Sequence, residues 1–232
     1  MKRFKWYRTG NSKTKIAFNT KWLVMDLGSG HNPHPRANVL VDKFFLDDTE
    51  RSGQELVLPQ NKAFVVADAC AMPFKDKIID FAICSHIAEH IEDLEKFFLE
   101  LIRIAKKGYL ETPSKIAEIL RHAPNHRWLI YKKGNKIVCS PASEKYPLGQ
   151  FGKLFFSLYF YNNIQARGRD VFAFAQGCAK PLHYFFAVTR WCLLHLWLLL
   201  KPFTYTRILW VKGFSWQIMY NSASATRDNT DA

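Results

Sequence analysis

The segment Val24-Met25-Asp26-Leu27-Gly28-Ser29-Gly30 constrains this chain more than any other. An apolar run carrying one carboxylate gives way to two glycines a residue apart. Such a run predicts a short strand buried on both faces, as in a parallel sheet. The glycines predict a tight turn that can approach a ligand with no Cβ in the way. In an open α/β sheet a turn of this kind falls at the carboxyl edge, where nucleotide-like ligands bind.

Four further segments repeat the strand signal. Trp22–Leu27 is the first strand, Val39–Asp42 the second, Phe64–Asp68 the third and Ile78–Cys84 the fourth; Tyr109-Leu110-Glu111 is the fifth, stopped by Pro113. Each is short and nearly continuous in apolar residues. Between the first two, Asn32-Pro33-His34-Pro35 leaves little room for a full helix. Leu94, Phe97, Phe98, Leu101, Ile104 and Ala105 follow helical spacing and predict a helix from Asp93 to Lys107. Asp93 reads as its N-cap, Lys106 and Lys107 favour its negative end, and Gly108 reads as its C-cap. Near the end of the chain, Ile208–Val211 and Phe214–Tyr220 flank Lys212-Gly213 and predict a hairpin. Strands alternating with helical or turn segments predict an α/β sheet.

Charge divides the chain. Residues 1–21 carry seven Lys or Arg and no acid, residues 22–140 carry 16 of each sign, and residues 141–232 carry 10 basic against 4 acidic side chains. The net charge of +13 therefore sits in two flanks around a neutral core, and flanks of that sign favour anionic partners. The domain layout that follows is a basic, aromatic arm at 1–21 and a core at 22–139. An insertion at 140–205 caps an acceptor site or lies on a membrane surface; a closing hairpin at 206–220 and a disordered tail at 221–232 follow. Leu182–Leu200 is apolar, but its longest uncharged piece, Trp191–Leu200, falls short of the roughly 20 residues a bilayer span requires. It reads as a buried or interfacial helix. Met1 to Lys15 has no apolar stretch of the kind a secretory signal needs. Five cysteines, with no C-x-x-C pair, point to reduced thiols and a cytoplasmic setting, peripheral at a membrane.

Taken in order, Met25-Asp26-Leu27-Gly28-Ser29-Gly30, Asp42, Ala67-Asp68-Ala69 with Met72-Pro73-Phe74, and Asp80-Phe81-Ala82-Ile83-Cys84-Ser85-His86 leading into Glu89-His90 resemble the class I S-adenosylmethionine-dependent methyltransferases. The likeness covers about Trp22 to Pro113 and is strongest to the type 11 group that includes quinone-biosynthesis C-methyltransferases. The Asn-Pro-His-Pro and His-Arg-Trp elements are similar to those of methyltransferases linked to surface polysaccharides. The resemblance implies a doubly wound, mostly parallel sheet of seven strands ending in an antiparallel hairpin, with a helical or irregular C-terminal insertion. It also implies S-adenosyl-L-methionine as cofactor. On that reading Gly28, Ser29 and Gly30 contact the methionine portion, and Asp26 orients the loop or receives the ammonium group through water. Asp42, with Lys43 beside it, takes the ribose hydroxyls; Asp68 and Ala69 take the adenine; Ser85 and His86 line the sulfonium side. Asn32 stands where a third glycine is often found, and Pro33 breaks the G-x-G-x-x-G pattern of nicotinamide enzymes.

Methyl transfer needs alignment and, for a hydroxyl acceptor, removal of a proton. His90, His126 and Glu111 are the catalytic candidates, with His122 a further base and Arg127 suited to a carboxylate or phosphate. His86-Ile87-Ala88-Glu89-His90 also matches the zinc signature H-x-x-E-H, but it follows a buried strand directly, so no metal is assigned. The expected acceptor is a small molecule, a glycan or a lipid-linked compound, methylated on oxygen near an anionic membrane surface. The alternatives are an RNA methyltransferase using the basic arms and a cofactor-binding scaffold without transfer activity. The absence of an Asn-Pro-Pro-Tyr type base clamp after the fourth strand counts against RNA.

Overall fold

The computed structural model describes Ile16 and residues 19–47, 54–121, 125–142, 203–220 and 226–229. The N-terminal arm, most of the 140–205 insertion with its apolar 182–200 segment, His122 and most of the tail lie outside these residues. Among the described residues no helix is long and apolar enough to cross a membrane.

The first sheet has the order β3-β2-β1-β4-β5-β8, six strands among the described residues. Its members are β1 (Val24–Leu27), β2 (Val39–Asp42), β3 (Ala63–Val66), β4 (Phe81–Ser85), β5 (Lys107–Pro113) and β8 (Tyr205–Val211). The first five are mutually parallel, and β8 runs antiparallel along β5 from Lys107 opposite Val211 to Pro113 opposite Tyr205. β1 lies between β2 and β4, so the chain winds one way from β1 to β3 and the other way from β4 onward. The carboxyl ends of β1, β2 and β4 diverge at that reversal and leave a crevice.

Helix α1 (Leu94–Ile104) returns the chain from β4 to β5. Asp93 caps it as expected, its carboxylate accepting from the Lys96 N–H at 3.0 Å. The C-terminal expectation fails. The cap is Ala105, and Gly108 lies inside β5. There a Cβ would come within 2.5 Å of the Trp210 ring and 2.7 Å of the Ala82 carbonyl oxygen, so the glycine is kept for packing between strands. No helix joins β1 to β2, in keeping with the prolines at 33 and 35.

The predicted closing hairpin does not form. β8 and β9 (Ser215–Met219) belong to different sheets. Lys212 and Gly213 take φ of 64° and 120°, and that left-handed pair turns the chain out of the first sheet. It enters a second sheet, order β10-β9-β7-β6, built with β6 (Trp128–Lys133), β7 (Lys136–Pro141) and β10 (Thr226–Asn229). The reason is apolar: Trp216 and Phe214 pack on Phe98 of α1, with ring centroids 5.4 and 5.2 Å apart. One continuous core joins both sheets through α1, with Met25, Leu101, Ile130, Cys139 and Trp216 among its members. The short helix α2 (Lys115–Arg121) connects β5 to the second sheet.

Gly108→Ala forces either Trp210 or the β4–β5 pairing to move, and overpacking of this kind costs about 1–3 kcal/mol. Urea denaturation of the variant is expected to show a lower midpoint at unchanged slope; an unaltered midpoint would show the strands tolerate the methyl group.

Candidate active site

A cleft of 1110 Å³ opens at the reversal point of the first sheet. One end is lined by Gly28, Ser29, Gly30, Asp42, Asp68 and Ala69, the other by His86, His90, Asn125, Arg127 and Tyr205. The topology thus brings together the glycine turn, the two strand-tip aspartates and the loop after β4.

The turn is a knot tied onto β2. Gly28 and Ser29 donate their N–H groups to the Val41 carbonyl at 2.7 and 3.3 Å, and Gly30 donates to Asp42 Oδ2 at 3.1 Å. Gly28 and Gly30 have φ of 63° and 51°, which glycine adopts without the steric cost other residues bear. At Gly28 the space of the missing Cβ belongs to the Ile87 side chain, not to a ligand. Asp26 is fully buried, does not line the cleft, and accepts from the His34 N–H at 2.7 Å; of its two expected uses, holding the loop is the one this geometry serves.

Asp42 Oδ1 accepts from the Phe44 N–H at 3.0 Å. Lys43 bridges to Asp68 at 2.8 Å, and Asp68 Oδ1 accepts from the Cys70 N–H at 2.8 Å. The Lys43 hydrogen bond, helped by that N–H, holds the Asp68 carboxyl below the usual range, and the same pair raises Lys43. Burial lifts the Cys70 thiol to about 11, so it stays protonated near neutrality and offers no nucleophile.

At the far end His86 takes φ of 60°, a strained conformation at the tip of β4. Its Nδ1 lies 3.2 Å from Glu89 Oε1, and its ring meets Tyr205 edge-on. Glu111 accepts from Ser85 Oγ at 3.1 Å, Tyr109 OH at 2.6 Å and Arg207 Nε at 2.7 Å. Three donors on one buried carboxylate make it an anchor between β4, β5 and β8. His90 and His126 meet edge-to-face with centroids 4.7 Å apart, and His126 Nδ1 lies 2.6 Å from Glu118 Oε1. The H-x-x-E-H stretch occupies a 3-10 turn at Ala88–His90, so His86 and His90 do not share a helix face; His90 faces His126 instead. Sequence reasoning missed Ile87, Glu118, Tyr205 and Arg207. Arg207 is 96 positions from Glu111, and nothing local marks the pairing.

Over residues 43–110, from the tip of β2 into β5, the chain matches the family profile described as a methyltransferase domain. That stretch carries the methyltransferase signature which the resemblance implied. It is 39% identical over 51 residues to ajmaline N-methyltransferase and norajmaline N-methyltransferase of Rauvolfia serpentina, a stretch that is 22% of this chain and 18% of each relative. Among solved structures it is similar to YcgJ from Bacillus subtilis (TM-score 0.37, 20% identity, 50% of this chain and 57% of that one). A SAM-dependent methyltransferase from Aquifex aeolicus is another (TM-score 0.31, 17% identity, 40% and 57%).

The cleft fits the cofactor that this domain type implies. Ser29 Oγ is buried on its wall with no hydrogen-bond partner among the described residues, the mark of a hydroxyl that awaits one. Asp42, on the same wall, accepts the Gly30 and Phe44 N–H groups on its two oxygens, which fixes its carboxylate at the cleft.

Lys43→Met removes the main cause of the Asp68 shift, so the carboxyl is expected to titrate closer to the usual carboxylate range in a side-chain NMR titration. The pair's modest contribution to stability is present above that range and lost as pH falls through the depressed value. A titration that does not move would place the cause in the Cys70 N–H alone.

Proposed function

We propose that this protein transfers a methyl group from S-adenosylmethionine to an acceptor oxygen on a small molecule, a glycan or a lipid-linked compound. The observation that carries this reading is the cleft itself: a left-handed glycine turn, an orphan hydroxyl and two strand-tip carboxylates at one end, an imidazole pair at the other. When bound, the cofactor supplies an activated methyl on a positively charged sulfur. The Gly28–Gly30 turn and Ser29 hold the methionine portion. Asp42 accepts from the ribose hydroxyls, while Asp68 and the Ala69 N–H face the adenine. Ser85 and His86 bound the sulfonium side.

The acceptor end is built to align and deprotonate. His90 lines the cleft, and His126 stands behind it with the Glu118 carboxylate fixing its ring. Arg127 and Asn125 on the rim suit an acidic or hydroxylated acceptor. Glu111, committed to three donors, shapes that wall rather than taking the proton. The named relatives are N-methyltransferases matched over 51 residues only, and a backed imidazole pair is better suited to a hydroxyl, which must lose a proton.

The domain boundaries at 21, 139 and 205 belong to the same proposal. The seven cations of residues 1–21, interleaved with Phe4, Trp6 and Tyr7, support contact with an anionic membrane surface. Co-sedimentation with anionic vesicles is expected for the full chain and lost on removal of residues 1–21; equal recovery of both would sink the membrane role.

The cofactor assignment is tested by calorimetry with S-adenosylhomocysteine. Asp42→Asn keeps one acceptor oxygen but gives up the charge, and is expected to weaken binding about tenfold, the effect of one charge-assisted hydrogen bond. Undiminished affinity would remove Asp42 from the ribose site.

A further inference from the structure

We infer that Glu89, His90 and His126 form a binding site for a first-row divalent metal ion at the acceptor end of the cleft. The three side chains each offer a donor atom within 4.8 Å of the others. Glu89 is only 1% exposed, and its Oε2 has no hydrogen-bond partner among the described residues. A buried carboxylate oxygen without a donor is costly, and a cation beside it removes that cost.

The surroundings are those of a prepared ligand set. His126 directs Nδ1 at Glu118, 2.6 Å away, which leaves Nε2 as its ligating nitrogen and supplies the carboxylate–histidine–metal arrangement that raises ligand basicity. Glu118 is itself buried. Glu89 and His90 share the 3-10 turn, and His126 enters from the strand β6 side. Two hydrogen bonds lock these segments together where the donors meet: Arg127 N–H to the Glu89 carbonyl and Trp128 Nε1–H to the Ile91 carbonyl, both 2.7 Å. Donors on a tetrahedral ion with bonds near 2.0–2.1 Å lie about 3.3 Å apart, so side-chain shifts of at most about 1.5 Å complete the coordination. Two imidazoles and one carboxylate suit zinc, cobalt or iron(II) and leave a coordination position open.

His90 lines the cleft, so the open position faces the acceptor. The use of the ion rests on the methyl-transfer reading. An acceptor hydroxyl bound there loses its proton to solvent more readily, its oxygen forms the new bond to the methyl carbon, and the carbon–sulfur bond breaks with its electron pair kept by sulfur. The imidazole pair then acts through the ion rather than by taking the proton itself.

The test uses the full chain stripped with a chelator and titrated with cobalt(II) chloride, followed by its visible absorption, and with zinc chloride by calorimetry. One equivalent is expected to bind with a low-symmetry cobalt spectrum. Glu89→Gln and His126→Asn are each expected to weaken binding at least tenfold, and Glu118→Gln about tenfold through the ring it orients. Failure of the intact protein to bind either metal, or an unchanged cobalt spectrum in these variants, overturns the site. If Glu89→Gln does not fold, the Glu118→Gln result decides alone. S-adenosylhomocysteine affinity is measured in the same variants and is expected to be unchanged. Loss of that binding in the intact protein would defeat the methyl-transfer reading while leaving the metal result standing.

Discussion

The cleft depends on a knot of three backbone donors. Gly28, Ser29 and Gly30 are tied to Val41 and Asp42, and the chain can make that bend only because two glycines accept positive φ. Ile87 then fills the notch left at Gly28, which draws the loop after β4 against the turn. Through this contact the two ends of the cleft are mechanically one object: the glycine turn rests on the same residue that leads into the 3-10 turn bearing Glu89 and His90. A larger side chain at Gly28 would push apart both walls.

Much of the fold was legible because its signals are local. Short apolar runs ending in Asp42, Asp68 and Cys84 mark the strands, though β3 stops at Val66, two residues before Asp68, and β4 starts at Phe81 and runs to Ser85; the spacing from Leu94 to Ile104 marks the helix with its Asp93 cap. The prolines at 33 and 35 correctly announced a connection without a helix. What could not be read depends on residues distant in sequence. Gly108 looked like a helix terminus because glycine commonly ends helices; its cause is Trp210, on a strand that returns a hundred positions later. The hairpin around Lys212-Gly213 looked sound from alternation, but alternation cannot say which sheet a strand joins. That choice was made by the aromatic surface of α1.

The site divides in the same way. The end with the glycine turn and the two aspartates is drawn from residues 26–69 and follows from ordered motifs. The acceptor end is assembled from β4, β5, α2, β6 and β8, so its partnerships, Glu111 with Arg207 and His126 with Glu118, have no sequence signature. His86 shows how misleading a pattern can be. Its spacing to His90 fits a helical metal motif, but a left-handed backbone at the strand tip sends the two rings to different neighbours.

Ala142, just after β7, and Phe203, just before β8, are both fastened near the Arg127 and Tyr205 rim of the cleft. Ala142 donates to the carbonyl of Arg127, while Phe203 and Thr204 accept from the Ser114 hydroxyl and N–H. The backbone at these two points is therefore held on the side of the cleft lined by Arg127 and Tyr205. A substitution at Ser114 loosens one of these anchors without touching the turn at Gly28.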